Sequence, residues 1–444
     1  MISDLAFLLI GTLFYILFFY SFLLKNKTPF FITCLFLIIA HDFIFINLSF
    51  FASKTTTYIL KAWQEYLFLF LLLIFLYNKN KIQKQVFSIF IIIIFLSIYG
   101  FFISILTSQD LLNTILSWRS YLLPIMIPCL LYINNGFKNV SIKTLITTLS
   151  VVLFVLIIYA KYQTFLFDMS GGQNLTFLKG DFRANARRAM SGSLWFYDFF
   201  GDDHLIPRWF NMIRDNKLRA TSIFVSPIIF AQFLGVLGSI FLAYYHRGIK
   251  KRKYLILIIV LIALYGVLLS QVRAGFVYFA ITFLAIYVFK KFKQNYILLV
   301  LVPLTFVFIT FFGLIFFKLG DSSSVGRLNQ YVDLINNFKI FGYGLGARRA
   351  IVYYDSLIIS TMMAFGVFSF LYFKVHFTLL KSIFKIEKSQ VRGDSINFLG
   401  LGLLGSFSAF IYFIFFHYSI GSTPLRFLYF VAFYFMYKIY EDDS

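Results

Sequence analysis

Residues 86–106 read VFSIFIIIIFLSIYGFFISIL, and no charged side chain stands between Lys84 and Asp110. A helix of about 20 such residues crosses the hydrocarbon core of a bilayer once, and only helices or closed barrels can cross it without leaving backbone polar groups unbonded. Comparable runs recur along the whole chain of 444 residues, which is 60% hydrophobic and 13% charged with a mean hydropathy of +0.84. A soluble domain carries about twice that share of charge, so this much apolar surface cannot be hidden in a water-soluble core. The same figures exclude a disordered chain. They also exclude a disulfide-built one, because the only cysteines, Cys34 and Cys129, both fall inside apolar runs and read as packing or lipid-facing residues.

Reading outward on the same rule gives about thirteen spans, with eleven to fourteen as the range. They centre on 5–24, 29–51, 58–77, 86–106, 117–134, 143–160, 221–245, 254–271, 274–289, 296–317, 356–374, 396–416 and 424–439. The predicted fold class is therefore all-α, a polytopic integral membrane helix bundle. The first run has no basic flank and no small-residue cleavage site, so it reads as a span and not as a cleaved signal.

The formal charge of +22, from 40 Lys and Arg against 18 Asp and Glu, would suggest nucleic acid in a soluble protein. Here the basic residues sit in short turns: Lys25 and Lys27, Lys79 to Lys84, Lys138 and Lys143, Arg247 with Lys250 to Lys253, Lys290 to Lys293, and Lys381 to Arg392. All of them fall on one side of the span map, which marks that side as cytoplasmic. No basic stripe interleaves with aromatic residues, so nucleic acid is not an expected partner.

On this map the chain divides into N-terminal transmembrane helices (1–160), a large periplasmic loop (161–219), central helices (220–318), a second periplasmic loop (319–355) and C-terminal helices (356–444). The two loops are the only long polar stretches, so function is expected there. The first mixes charge and aromatics, with Arg183, Arg187, Arg188, Trp195, Asp202, Asp203, His204 and Trp209. In the second, Ser324 can cap a helix with Val325, Leu328, Tyr331 and Leu334 at three-residue spacing, which ends near Asn336-Asn337 ahead of Gly342-Tyr-Gly344-Leu-Gly346.

Five arginines face outward against the positive-inside trend: Arg219, Arg273, Arg327, Arg348 and Arg349. A guanidinium fork matches phosphate oxygens in pairs and is charged at any physiological pH, which suits a lipid diphosphate at the membrane surface. Taken singly, each could equally meet headgroup phosphates or a nearby Asp; together on one face they point to an anion site. The glycine turn at Gly344 could bring backbone N–H groups to a ligand, or simply precede a span. Asp355, at the mouth of the next span, could accept a proton from a sugar hydroxyl or cap the helix. His204 is another candidate base or a solvated loop residue. His41, His376 and His417 have no companion at metal spacing, so neither a metal nor a cofactor is expected. Lys61 and Glu65, four apart, could pair on one helix face. A transporter would carry such groups near mid-membrane in two related halves, and no such halves are visible.

The order of these pieces resembles the bacterial O-antigen polymerase and ligase superfamily. The resemblance rests on Trp118-Arg119-Ser-Tyr-Leu-Leu-Pro124, on Arg219 to Pro227 (RATSIFVSP), and on Ser270-Gln-Val-Arg273-Ala-Gly275. It continues through Gly326-Arg327, the glycine turn and Asp355-Ser-Leu, to Phe365-Gly366-Val367, and so covers residues from about 115 to 370. What it implies is a metal-independent glycosyltransferase acting on undecaprenyl-diphosphate-linked oligosaccharides at the periplasmic face of the bacterial inner membrane. Arg219 and Arg273 would then hold the donor diphosphate and stabilise its departure, Arg327, Arg348, Arg349 and Gly344 would assist, and Asp355 would serve the acceptor hydroxyl. Ligases of the superfamily carry His where this chain has Asp355, which favours the polymerase branch. The alternatives are an O-antigen ligase acting on lipid A-core and, in a different class, a lipid-linked oligosaccharide flippase. Besides membrane lipid, the implied partners are a chain-length regulator and a flippase.

Overall fold

The computed structural model describes residues 2–41, 43–45, 48, 52–77, 83–169, 213–214, 217–224, 226–247, 253–292, 295–316, 322–347, 356–389, 397–416 and 422–443. They are almost wholly helical; the one sheet among them is a two-residue antiparallel pair, β1 (Ile213–Arg214) with β2 (Lys217–Leu218). Nine helices among the described residues are long and apolar enough to cross a membrane, or up to eleven if each of two bent pairs is one span. The chain is a multi-pass membrane protein.

The N-terminal helices are α1 (Ile2–Leu23), α2 (Thr28–Ile39), the bent pair α3 (Lys54–Lys61) and α4 (Trp63–Tyr77), α5 (Lys84–Leu106), the bent pair α6 (Leu111–Tyr121) and α7 (Leu123–Ile133), and α8 (Ile142–Met169). The central ones are α9 (Pro227–Arg247), α10 (Lys253–Ser270), α11 (Arg273–Lys291) and α12 (Tyr296–Phe316). After α13 (Ser322–Asn337) come α14 (Leu357–Phe365), α15 (Ser369–Ser389), α16 (Asn397–Phe416) and α17 (Thr423–Asp443). The sequence count of thirteen adds α2, only 12 residues long, and α17, which carries Arg426 and Lys438.

Burial ranks the helices by position. The apolar window of α16 is 94% buried and that of α1 only 11%, so α16 is the axis of the bundle and α1 lies at its rim. With no hydrophobic drive between helices in lipid, close approach depends on small residues and polar contacts. α16 supplies both. A Cβ placed on Gly402 would lie 2.8 Å from the Ile240 Cα on α9. Ser239 on α9 shares a hydrogen bond with Ser406 (2.7 Å) and donates to the Gly402 carbonyl (3.2 Å). Tyr278 on α11 donates to the Ser406 carbonyl at 3.1 Å, and Ser408 to the Leu299 carbonyl of α12 at 2.6 Å.

The chain turns gather at two ends. At one, Asn139 donates to the Lys25 carbonyl (3.2 Å) and, through its backbone N–H, to Glu441 (3.4 Å), so the acidic tail lies among lysine-bearing turns. The opposite end collects the C-termini of α5, α8, α10 and α16 and the N-termini of α6, α11, α14 and α17, and it carries Arg219 and Arg273.

Five sequence boundaries move, and one of them is that of the span expected at 221–245, whose helix begins at Pro227. The span expected at 58–77 starts earlier and bends by 41° at Ala62, and the one at 117–134 starts at Leu111 and bends by 56° at Leu122, ahead of Pro124. α8 runs on to Met169, past residue 160. The span at 356–374 is interrupted at Gly366, in the left-handed region at φ 57°, and then continues to Ser389. Ser324 is not the cap of α13, which already begins at Ser322.

Replacing Gly402 with Val should force α9 away from the axis, costing on the order of 1–3 kcal/mol. The check is the temperature at which detergent-purified protein loses its monodisperse peak; an unchanged temperature would show that this contact does not carry the core.

Candidate functional site

Arg219 and Arg273 are brought to one turn. The segment after β2 docks on the connection between α10 and α11: the Ala220 N–H donates to the Leu269 carbonyl (3.0 Å), and Gln271, at φ 52°, donates from its side chain to the Leu218 carbonyl (3.3 Å). Arg219 is half-buried and donates from Nε to the Ser270 carbonyl at 3.4 Å. Arg273 opens α11, three positions on, with its side chain exposed.

Within the Arg219-Ala-Thr-Ser-Ile-Phe224 stretch, Thr221, Ser222 and Phe224 fix the backbone and the core contact. Gln163 on α8, only 4% exposed, accepts from the N–H groups of Thr221 (3.2 Å) and Ser222 (2.9 Å) and donates to the Ser222 carbonyl (3.0 Å). Ser222, at φ 52°, donates to the Leu156 carbonyl at 2.8 Å. Phe224 is fully buried, with its ring centroid 5.2 Å from that of Phe233. The segment is non-helical, and in a bilayer its backbone groups need partners from the protein; Gln163 supplies three. Sequence reasoning missed Gln163, whose one signal is an amide two residues after Lys161, just past the apolar part of α8.

Chemically, this turn can attract an anion. Two guanidinium groups, one half-buried and one exposed, stand at the start of α11. Its first turn has no side-chain cap, so the positive end of the helix dipole adds to them.

A second polar group lies deeper at the same end. Arg119, 7% exposed, pairs with Glu65 at 3.3 Å and donates to the Lys61 carbonyl at 3.4 Å. Tyr15 donates to the Leu60 carbonyl. The bend at Ala62 frees the carbonyls of the last turn of α3, and these two side chains satisfy them. Glu65 thus pairs with Arg119 from another helix, and a helix break stands between it and Lys61. Trp63 donates to Nδ1 of His41 at 2.9 Å, which fixes that nitrogen as an acceptor. A lipid-facing groove of about 600 Å³ runs between α4, α5 and α6, with a wall that is apolar apart from Ser97 and the Trp118 indole. That indole donates to Ser97 at 3.1 Å, which leaves the groove surface apolar enough to accommodate an acyl chain.

The glycine turn is inside the protein. Leu345 is fully buried between Gly100 of α5 and the end of α14. The N–H groups of Tyr343, Gly344 and Gly346 donate to the carbonyls of Met363 (2.8 Å) and Ala364 (3.1 Å) and to the Ser104 hydroxyl (3.1 Å). Gly344, at φ 84°, has no room for a Cβ beside the Ser104 backbone. These donors hold two chain segments together and are already used.

Of the remaining candidates, Arg327 is a residue of α13 whose side chain lies outside the described residues, and Arg348, Arg349, Asp355, His204 and His417 lie outside them entirely. The helix cap beside Asp355 is Ser356, which accepts from the Ile359 N–H at 3.4 Å. Cys34 and Cys129 are free and buried, in packing positions. Among the described residues, no three His, Cys, Asp or Glu side chains are grouped to hold a metal. No family model matches this chain, and neither a curated protein nor a solved structure does.

Two outcomes follow from these contacts. Gln163→Leu should raise hydrogen exchange at the Thr221 and Ser222 amides by about tenfold or more, since each lost hydrogen bond is worth roughly 1 kcal/mol; unchanged protection would mean that something else holds the segment. Replacing either Arg119 or Glu65 with Leu should destabilise the protein by on the order of 3 kcal/mol in thermal unfolding, and replacing both should cost less than either alone. Equal or additive losses would show that the pair is not an energetic unit.

Proposed function

We propose that this chain is an O-antigen polymerase, a metal-independent glycosyltransferase that joins undecaprenyl-diphosphate-linked oligosaccharide repeat units at the periplasmic face of the bacterial inner membrane. The observation that carries the reading is the docking of Arg219 on the Ser270 carbonyl, three positions before Arg273. Two arginines from separate segments, both in stretches that resemble the superfamily, share one uncapped helix start.

In this mechanism an acceptor sugar hydroxyl attacks the anomeric carbon of the donor. The carbon–oxygen bond to the diphosphate breaks, its electron pair passes to the departing diphosphate, and the hydroxyl proton goes to a base. Arg219, Arg273 and the start of α11 stabilise charge that grows as the diphosphate leaves, so they act more strongly on the transition state than on the ground state. Asp355 is the proposed base, with Arg327, Arg348 and Arg349 as further diphosphate contacts. The span map of the proposal has thirteen crossings, counting α2, α17 and each bent pair once. It puts the N-terminus and the candidate arginines in the periplasm and the lysine-bearing turns in the cytoplasm. A chain-length regulator and a flippase of the same pathway are the proposed partners.

Deleting the gene should collapse the lipopolysaccharide ladder on a gel to core plus a single repeat unit, and complementation should restore it. Loss of every O-antigen band while lipid-linked polymer accumulates would instead identify a ligase. Arg273→Ala and Arg219→Ala proteins, matched to wild type in expression and thermal stability, should each lose roughly 10- to 100-fold in polymerisation rate, the equivalent of a charge-assisted hydrogen bond of 1.5–3 kcal/mol. Wild-type polymer from the matched Arg273→Ala protein would remove the diphosphate role.

A further inference from the structure

α13 has three differently served sides. Tyr331 donates to the Phe415 carbonyl at 2.5 Å and Leu334 is buried, so this stripe faces the bundle. Burial pushes the Tyr331 phenol up to about 12, so it stays a neutral donor there. Asn329, Asp333 and Asn336 form a polar side. Between the two runs a stripe at i, i+4 and i+7, Leu328, Val332 and Ile335, whose last two members are 56% and 77% exposed. No described helix covers it.

The turn that follows continues this apolar face. Ile340 and Phe341 are 63% and 62% exposed, yet their backbones are tied into the membrane helices. The Ile340 carbonyl accepts from the Val367 N–H (2.8 Å), and the Phe341 carbonyl accepts from the Tyr99 hydroxyl (2.8 Å). Tyr99 sits two turns before the end of α5, roughly 10 Å down the helix, next to the lipid-facing Ile98. The chain after α13 therefore dips below the ends of the spans, and its apolar side is continuous with their lipid-facing surface.

We propose that α13 and the turn to Phe341 are a re-entrant element seated in the bilayer interface, with the Leu328, Val332 and Ile335 stripe and the Ile340-Phe341 pair in contact with lipid acyl chains. Its occupant is membrane lipid, because the stripe runs without interruption into a face that lipid already covers, while its polar side lies toward water, as an interfacial amphipathic helix requires. The glycine turn is then the return point of a re-entrant segment, which explains why the N–H groups of Gly342, Tyr343, Gly344 and Gly346 are satisfied from within. This reading stands independently of the proposed reaction.

The test is site-directed spin labelling of the full-length protein, with Cys34 and Cys129 replaced, in vesicles of phosphatidylethanolamine and phosphatidylglycerol. Single cysteines at 328, 329, 332, 333, 335, 336 and 341 would be compared with one at Ile98 for collisions with oxygen, which concentrates in lipid, and with a water-soluble nickel chelate. Oxygen should dominate at 328, 332, 335 and 341 as it does at Ile98, and the nickel chelate at 329, 333 and 336. Nickel dominance at 332 and 335 would overturn the proposal and make α13 a water-exposed helix. Exclusion of both reagents there, with dipolar broadening between labels, would overturn it in favour of a second copy of the chain.

Discussion

The absence of water in the hydrocarbon core is the constraint on which the rest of this structure depends. Wherever a helix stops inside the bundle, the backbone groups it frees must find a partner within the protein, since each one left bare costs several kcal/mol. The break at Ala62 is served by Tyr15 and Arg119, the non-helical turn at 221–222 by Gln163, and the turn at 342–346 by the end of α14 and by Ser104. Each partner comes from a different helix. The places where the chain is least regular are thus also the places where most elements are locked together.

That arrangement gives the candidate site its character. An arginine at a bilayer surface is mobile unless something fixes its backbone, and a mobile cation holds any anion poorly. The backbone beside Arg219 is fixed twice, by Gln163 from α8 and by the carbonyl of Leu269 at the end of α10. Arg273 takes its place from the start of α11. Two charges that are distant in sequence then rest on three packed helices, which pre-organises them at one helix start. The buried Arg119 and Glu65 pair does a different job, holding two bent helix pairs in register.

The sequence carried the spans well because they are long, apolar and bounded by charge. The kinks were not legible, because neither Ala62, next to Lys61, nor Leu122 is a residue type that breaks a helix; only Pro124 hinted at the second break. Arg219 and Arg273 could be singled out from charge and position, yet nothing in their spacing says that they meet. Glu65 was paired with Lys61 by helix periodicity, which fails across a break. Gly342 to Gly346 read as an external turn, since polarity and glycine content do not distinguish a loop in water from one whose donors are satisfied inside the protein.

The sequence by itself determined that this is a helical multi-pass membrane protein and roughly where most of its apolar helices lie. Hydropathy acts on each segment separately, so those features can be read locally. The tertiary structure alone decided that α16 is the axis, that Gln163 clamps the Arg219 segment, and that the chain after α13 turns back into the bundle. Each of these depends on a partner far away in the chain, supplied because a buried polar group or a missing side chain on one helix has to be matched by another.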